Sequence, residues 1–100
     1  MDDDRLDQLD YYALLGIDDG ANVEQIKQAF RRFARTYHPD RFAGQAPAKV
    51  ARATQIYRRG SEAMQVLTDP ALRRAYDALL AKGELRMTPE LRDRIRRSRP

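Results

Sequence analysis

The tripeptide His-Pro-Asp at residues 38–40 carries the side chains of this chain that are best suited to chemistry. It places an imidazole and a carboxylate two residues apart, and the ring of Pro39 restricts the backbone between them. Such a pair could work as a general acid and base. The sequence supplies no accompanying nucleophile or oxyanion-stabilising donor, so we interpret the tripeptide as a binding element and not as a catalytic one.

A basic amphipathic helix over residues 23–37 leads into the tripeptide. Asn22 and Gln25 form the capping-box pattern that starts a helix. At helical spacing one face is apolar and another is cationic. The apolar face comprises Ile26, Ala29, Phe33 and Tyr37, and the cations are Lys27, Arg31 and Arg35, with Arg32 beyond them. Because the residue before a proline disfavours helical backbone angles, the helix should end at His38 and leave the tripeptide on an exposed turn.

The remaining elements are also predicted to be helical, since apolar residues recur at helical spacing from end to end of the chain. We expect a first helix over residues 6–15, which Gly16 ends in the left-handed conformation. A third helix is expected over residues 48–67, antiparallel to the second. Its apolar stripe spans five turns at i, i+3, i+4 spacing. The sequence therefore predicts an all-α domain.

The C-terminal third of the chain contains two further helix signals. Thr68 or Asp69 should cap a fourth helix, with Pro70 in its first turn, that runs to Gly83. Residues 90–97 follow a second cap-and-proline signal, but they contain only two sizeable apolar side chains. We therefore expect this last segment to be a marginal helix within a solvated basic tail.

Composition excludes several classes of protein. The 100 residues suit one small domain without a deep substrate cavity, and no apolar run approaches the roughly 20 residues that span a bilayer. The chain has no cysteine and a single histidine, which excludes disulfides, thiolate catalysis and zinc sites built on Cys or on several His. No metal or cofactor is expected. The acidic N-terminus shows no export signal, so a cytoplasmic location is expected.

Charge is distributed unevenly along the chain, which has a net charge of +4. Residues 1–20 contain seven aspartates, whereas residues 84–100 contain six arginines. A basic helical protein could bind nucleic acid through phosphates, and this is the alternative function. The candidate phosphate contacts are Arg92, Arg94, Arg96, Arg97 and Arg99. An acidic residue at the tip of the basic helix and the acidic N-terminus argue against this alternative.

Three stretches, taken in order, resemble the J-domain family of co-chaperones. They are DYYALLGI at residues 10–17, IKQAFRRFARTYHPDR at residues 26–41 and EAMQVLTDPALRRAYD at residues 62–77. The resemblance implies an antiparallel hairpin of helices II and III, flanked by short helices I and IV. It also implies docking on a DnaK-type chaperone and stimulation of that partner's ATP hydrolysis. The family is not itself the ATPase, so no enzymatic activity is expected.

The resemblance assigns chaperone contact to the tripeptide, to the basic positions around it and to positions on the third helix that face it. The implied docking residues are His38, Pro39, Asp40, Lys27, Phe30, Arg31, Arg32, Arg35, Arg41, Tyr57 and Arg58. The closing motif of the family falls on Arg73, Tyr76 and Asp77, and we interpret these residues as packing. An isolated domain of this type is expected to be a monomer that binds neither metal nor membrane.

The sequence departs from the family pattern in three places. Gly60 stands where the family usually has a large aliphatic residue, and Met64 stands where it usually has tyrosine. The helix contact at these positions should therefore be closer or looser than usual. The segment between residues 40 and 57 is also longer than in the commonest form, which leaves the geometry around Tyr57 open.

The resemblance divides the chain into an acidic lead-in at residues 1–9, a J-domain at residues 10–82 and a basic tail at residues 83–100. No glycine- and phenylalanine-rich linker or cysteine-rich zinc module follows the J-domain. The chain is therefore either a specialised protein that is mostly J-domain or a piece of a longer one. The apolar stripes before residue 84 are expected to complete the core.

Overall fold

The structure, a computed structural model, describes residues 3–98 and is helical without strands over that range. Its α-helices are α1 (Tyr11–Leu15), α2 (Val23–Tyr37), α3 (Pro47–Leu67), α4 (Pro70–Ala81) and α5 (Pro89–Arg97). Short 3₁₀ helices span Asp3–Gln8 and Pro39–Phe42. The all-α prediction is confirmed. Within the described range, no helix is both long enough and apolar enough to cross a membrane.

Helices α2 and α3 form the central hairpin. The predicted capping box at the start of α2 is present, with Asn22 and Gln25 each bonding the other's backbone N–H at 2.8 Å. Apolar residues at helical spacing are buried on the facing sides of the two helices. These residues are Ile26, Ala29 and Phe33 on α2, and Ala53, Ile56, Gly60 and Ala63 on α3.

Gly60 allows the two helices to approach closely. A Cβ atom built on Gly60 would lie 2.1 Å from Cε1 of Phe33, far inside van der Waals contact. The ring of Phe33 therefore occupies the space that a larger side chain at position 60 would fill. A closer or a looser helix contact was expected at Gly60, and the structure has the closer one.

The prediction of one helix over residues 6–15 is wrong. Asp10 adopts an extended backbone conformation (φ −73°, ψ 174°), and its carboxylate accepts the Ala13 N–H at 2.9 Å as the N-cap of α1. An aspartate offers this local bond in place of a continued helix, so it divides the segment into a 3₁₀ helix and α1. Gly16 ends α1 with φ 72°, as predicted.

Three residues that we name the tyrosine cluster, Tyr11, Tyr12 and Tyr76, join α1 to α4. The rings of Tyr11 and Tyr76 stack with their centroids 4.2 Å apart, and the Tyr76 hydroxyl accepts the Tyr11 N–H at 2.9 Å. The Tyr12 hydroxyl donates to Asp77 at 2.6 Å and accepts from Arg73 at 3.1 Å. The closing motif therefore bonds α4 to α1, with Tyr76 buried, Arg73 half-buried and Asp77 at the surface.

The C-terminal segment is packed against the domain and is not a solvated tail over its described part, residues 84–98. Met87 is only 3% exposed, and Leu91 and Ile95 of α5 pack against the core. The Met87 N–H donates to the Tyr11 hydroxyl at 2.9 Å, and the Tyr76 hydroxyl donates to the Leu85 carbonyl at 2.8 Å. The core thus includes residues beyond 83. Arg99, one of the candidate phosphate contacts, lies outside the described residues.

Candidate functional site

The HPD loop, which we define as residues 38–40, begins where α2 ends. The His38 N–H still bonds the Ala34 carbonyl at 2.8 Å, but the His38 backbone leaves the helical region with φ −58° and ψ 131°. The following 3₁₀ turn is closed by the Arg41 N–H, which donates to the His38 carbonyl at 2.9 Å. The loop is therefore ordered by its own backbone, while the side chain of Asp40 remains 93% exposed.

Local hydrogen bonding orients the ring of His38. The Asp40 N–H donates to Nδ1 of His38 at 3.2 Å, so the neutral ring carries its proton on Nε2. The carboxylate of Asp40 lies 3.7 Å from the same Nδ1 atom. The imidazole is 45% exposed. The loop thus displays an Nε2–H donor and a carboxylate acceptor in a fixed relative position.

A row of aromatic rings holds the HPD loop against the hairpin. The edge of the His38 ring meets Tyr57 of α3, with centroids 5.1 Å apart and an interplanar angle of 68°. The ring centroid of Tyr57 lies 5.9 Å from that of Phe30 on α2, and the Phe30 centroid lies 6.3 Å from that of Phe33. The longer segment before Tyr57 therefore does not separate it from the loop. The segment from residue 40 to residue 57 forms the 3₁₀ turn, a short connection and the first turns of α3.

The cations proposed from the sequence are exposed around this loop. Lys27, Arg31, Arg32 and Arg35 lie on the outer side of α2, Arg41 lies in the 3₁₀ turn and Arg58 lies on α3. Arg31 is 3.6 Å from Glu24, but both side chains are more than half exposed, so this pair adds little stability. The other five cations form no ion pair with any described residue. The domain therefore presents positive charge that its own fold does not use.

The geometry suits recognition of a partner surface. His38 and Asp40 stand on a turn where the Asp40 side chain is almost fully exposed and the His38 ring is partly exposed. Within residues 3–98, no cluster of three or more His, Cys, Asp or Glu side chains could hold a metal ion. A rigid donor and acceptor beside exposed cations can engage the surface of an acidic partner.

Sequence reasoning missed a contact between the C-terminal segment and α3. Arg86 bonds Glu62 at 2.7 Å and 3.1 Å, and Glu62 also accepts the Tyr11 hydroxyl. Arg92 of α5 lines a shallow depression together with five residues of α3, which are Tyr57, Arg58, Ser61, Glu62 and Gln65. The spacing of Leu91 and Ile95 behind a capped helix start was the only sequence signal of this docking.

The region that contains these residues matches a known protein family. The family model described as the DnaJ domain matches residues 10–77, which include α1 to α3 and most of α4. This chain belongs to the DnaJ-domain family. The match contains the HPD loop, the basic side of α2 and the closing motif on α4.

Curated relatives agree with this assignment. The chain is 46% identical over 68 residues to a Chaperone protein DnaJ of Thermoplasma volcanium, which covers 68% of the chain and 18% of that protein. It is 40% identical over 78 residues to a Chaperone protein DnaJ of Wolinella succinogenes, covering 78% of the chain and 20% of that protein. The matched region thus spans about a fifth of the length of these relatives. No solved structure matches the chain.

Proposed function

We propose that this domain docks on a DnaK-type chaperone through its HPD loop and the basic side of α2, and that docking stimulates ATP hydrolysis by that chaperone. The observation that carries the proposal is the exposed HPD loop, in which Asp40 is 93% exposed while the backbone around it is hydrogen-bonded. The proposed docking residues all lie within residues 10–82, and the domain acts as a cytoplasmic monomer together with the packed segment beyond Gly83.

The division of labour within the site follows from its chemistry. The Nε2–H of His38 and the carboxylate of Asp40 offer one donor and one acceptor, which selects a partner with complementary groups at that spacing. The cations Lys27, Arg31 and Arg35 attract an acidic surface and speed the encounter. Phe30, Tyr57 and Arg58 extend the contact from α2 to α3. The ATPase chemistry belongs to the partner, and this domain acts as co-chaperone.

Single-turnover ATP hydrolysis by a bacterial DnaK-type chaperone, with and without this protein, tests the proposal. We expect stimulation by the parent protein and its loss with Asp40→Asn or His38→Gln. Asp18→Asn is the matched control, because Asp18 is also exposed but lies before the other end of α2, which is roughly 22 Å long. Undiminished stimulation by both HPD variants, with folding intact, would contradict the proposal.

A further inference from the structure

Helix α5 packs against α4, and its Arg92 reaches the part of α3 that meets the HPD loop. Its Arg92 lines a shallow depression of about 270 Å³ together with Tyr57 and Arg58 of α3. Tyr57 also contacts the HPD loop, since its ring centroid is 5.1 Å from that of His38. One tyrosine therefore borders both the HPD loop and α5. A partner seated on the loop and on Tyr57 comes within reach of α5.

The residues of α5 divide into an inward face and two flanks. Leu91 and Ile95 pack against the core. Arg92 faces α3 in this depression, and at helical spacing Arg96 falls on the same side of α5, whereas Arg94 falls on the opposite side of the inward face. Arg96 and Arg94 are both exposed and both belong to the last turn of the helix. This flank thus adds two cations to Arg58: the exposed Arg96, and Arg92, whose side chain is 24% exposed with its Nε 3.7 Å from Asp93.

The position of α5 is held firmly. Met87, just before the helix, is 3% exposed and donates its N–H to the Tyr11 hydroxyl at 2.9 Å. The Thr88 hydroxyl caps the helix by accepting the Leu91 N–H at 3.2 Å. A surface that is ordered before binding loses less conformational entropy when a partner arrives. These arginines are therefore placed as a rigid extension of α3 and not as a flexible tail.

We infer that the Arg92–Arg96 flank of α5 is a second docking surface for the chaperone that the HPD loop engages, and that it binds an acidic patch adjoining the loop's contact. This inference rests on the proposed function and extends it to residues beyond 83. Charge complementarity favours an acidic protein surface. A protein surface can also offer donors to the exposed carboxylates of Asp40 and Asp93, which the phosphates of a nucleic acid cannot.

The test compares Arg96→Glu with Arg94→Glu in the full chain. The two substitutions make the same charge change in the same helical turn, so they differ in the flank that they alter. The readout is the concentration of this protein that gives half-maximal stimulation of single-turnover ATP hydrolysis. We expect Arg96→Glu to raise it roughly fivefold at low salt, Arg96→Ala to raise it less, and Arg94→Glu to change it by less than about twofold. Circular dichroism and melting of each variant confirm that the fold is kept.

Any other result would reject either the second docking surface or the proposed function. Equal effects of Arg96→Glu and Arg94→Glu, or no effect of either, would reject the second docking surface while leaving the HPD assignment intact. No stimulation by the parent protein would reject the proposed function and this inference with it. Salt-sensitive binding of a DNA duplex that Arg96→Glu weakens, with stimulation unchanged, would assign the flank to nucleic acid instead.

Discussion

The tyrosine cluster and the HPD loop both carry polar side chains, but only those of the tyrosine cluster are bonded inside the domain. In the tyrosine cluster, the hydroxyls of Tyr11 and Tyr76 are bonded to backbone groups of Met87 and Leu85 inside the domain. In the HPD loop, the carboxylate of Asp40 is 93% exposed, and the Asp40 backbone N–H makes the bond that orders the loop.

The two sites should therefore respond differently to substitution. Removing a buried group leaves its partner without a hydrogen bond, which costs about 1–3 kcal/mol. Removing the exposed carboxylate of Asp40 leaves nothing unsatisfied in the fold, and such changes usually stay within about 0.5 kcal/mol. Variants of the tyrosine cluster should lose stability, and Asp40→Asn should lose function with little loss of stability.

The largest effect should come from truncation after Gly83. This cut removes the buried Met87 side chain and the partners of two buried hydroxyls, so we expect the free energy of unfolding to fall by roughly 3–5 kcal/mol. Urea denaturation of the truncated and full chains measures the difference. Met87→Ala should give part of the loss, about 2–4 kcal/mol. An unchanged midpoint would show that the core is complete without this segment.

Alkaline pH should weaken the tyrosine cluster as a whole. Burial raises the pKa of Tyr12 to about 12, helped by its bond to Asp77, and burial raises the pKa of Tyr76 to about 12. Burial and the bond to Glu62 also raise the pKa of Tyr11. The unfolded tyrosines ionise near 10, so above that pH the unfolded chain binds fewer protons than the native one. The stabilisation is complete below pH 10 and is lost as the pH rises to about 12.

Denaturation midpoints between pH 9 and about 11.5 measure this loss, with tyrosinate absorbance as a second readout. Tyr12→Phe should reduce the steepness of the decline, because it removes one titrating group. A midpoint that stays constant above pH 10 would contradict the expected shifts.

Tyr76→Phe isolates one buried hydroxyl. It leaves the Tyr11 N–H and the Leu85 carbonyl without their bonds, so we expect a loss of about 1–3 kcal/mol with stimulation preserved at temperatures where the domain stays folded. Tyr57→Phe is the control, since Tyr57 is half-buried, its hydroxyl bonds no described residue, and removal of that hydroxyl should cost less than about 0.5 kcal/mol. Equal losses would erase the distinction between the two sites.

Sequence pattern predicted the elements whose causes are local. The capping box of α2, the left-handed Gly16 and the end of the helix before Pro39 follow from neighbouring residues, and all three are present. The family resemblance supplied the hairpin and the HPD loop. Local signals could not tell that the hydroxyls of Tyr11 and Tyr76 pair with residues some 76 and 9 positions away. The docking of α5 therefore appeared only in the folded chain.

Gly60→Ala tests the seam between α2 and α3 next to the HPD loop. Helix propensity alone would favour alanine by about 0.5–1 kcal/mol. The added methyl group would overlap the Phe33 ring, which is buried and flanked by Tyr37 at 5.0 Å, so we expect a net loss of roughly 1–2 kcal/mol. Phe33→Leu combined with Gly60→Ala should recover part of the loss in a double-mutant cycle. A raised midpoint for Gly60→Ala would show that the ring can move away freely.

The smallest effect on stability is expected for Arg31→Glu, a variant that should lose binding while it keeps its fold. Arg31 is exposed, and its 3.6 Å pair with Glu24 is largely solvated, so the free energy of unfolding should change by less than about 0.5 kcal/mol. Association with the chaperone should nevertheless slow by roughly tenfold at low salt, because positive charge on α2 steers the encounter. The loss of association rate should shrink as salt shortens the Debye length from about 10 Å at 0.1 M to about 3 Å at 1 M.

Arg5→Glu makes the same charge change on the exposed N-terminal 3₁₀ helix and should slow association far less. Equal slowing by both variants would mean that only net charge matters, whereas a stability loss as large as that of Tyr76→Phe would mean that the basic side of α2 also holds the fold.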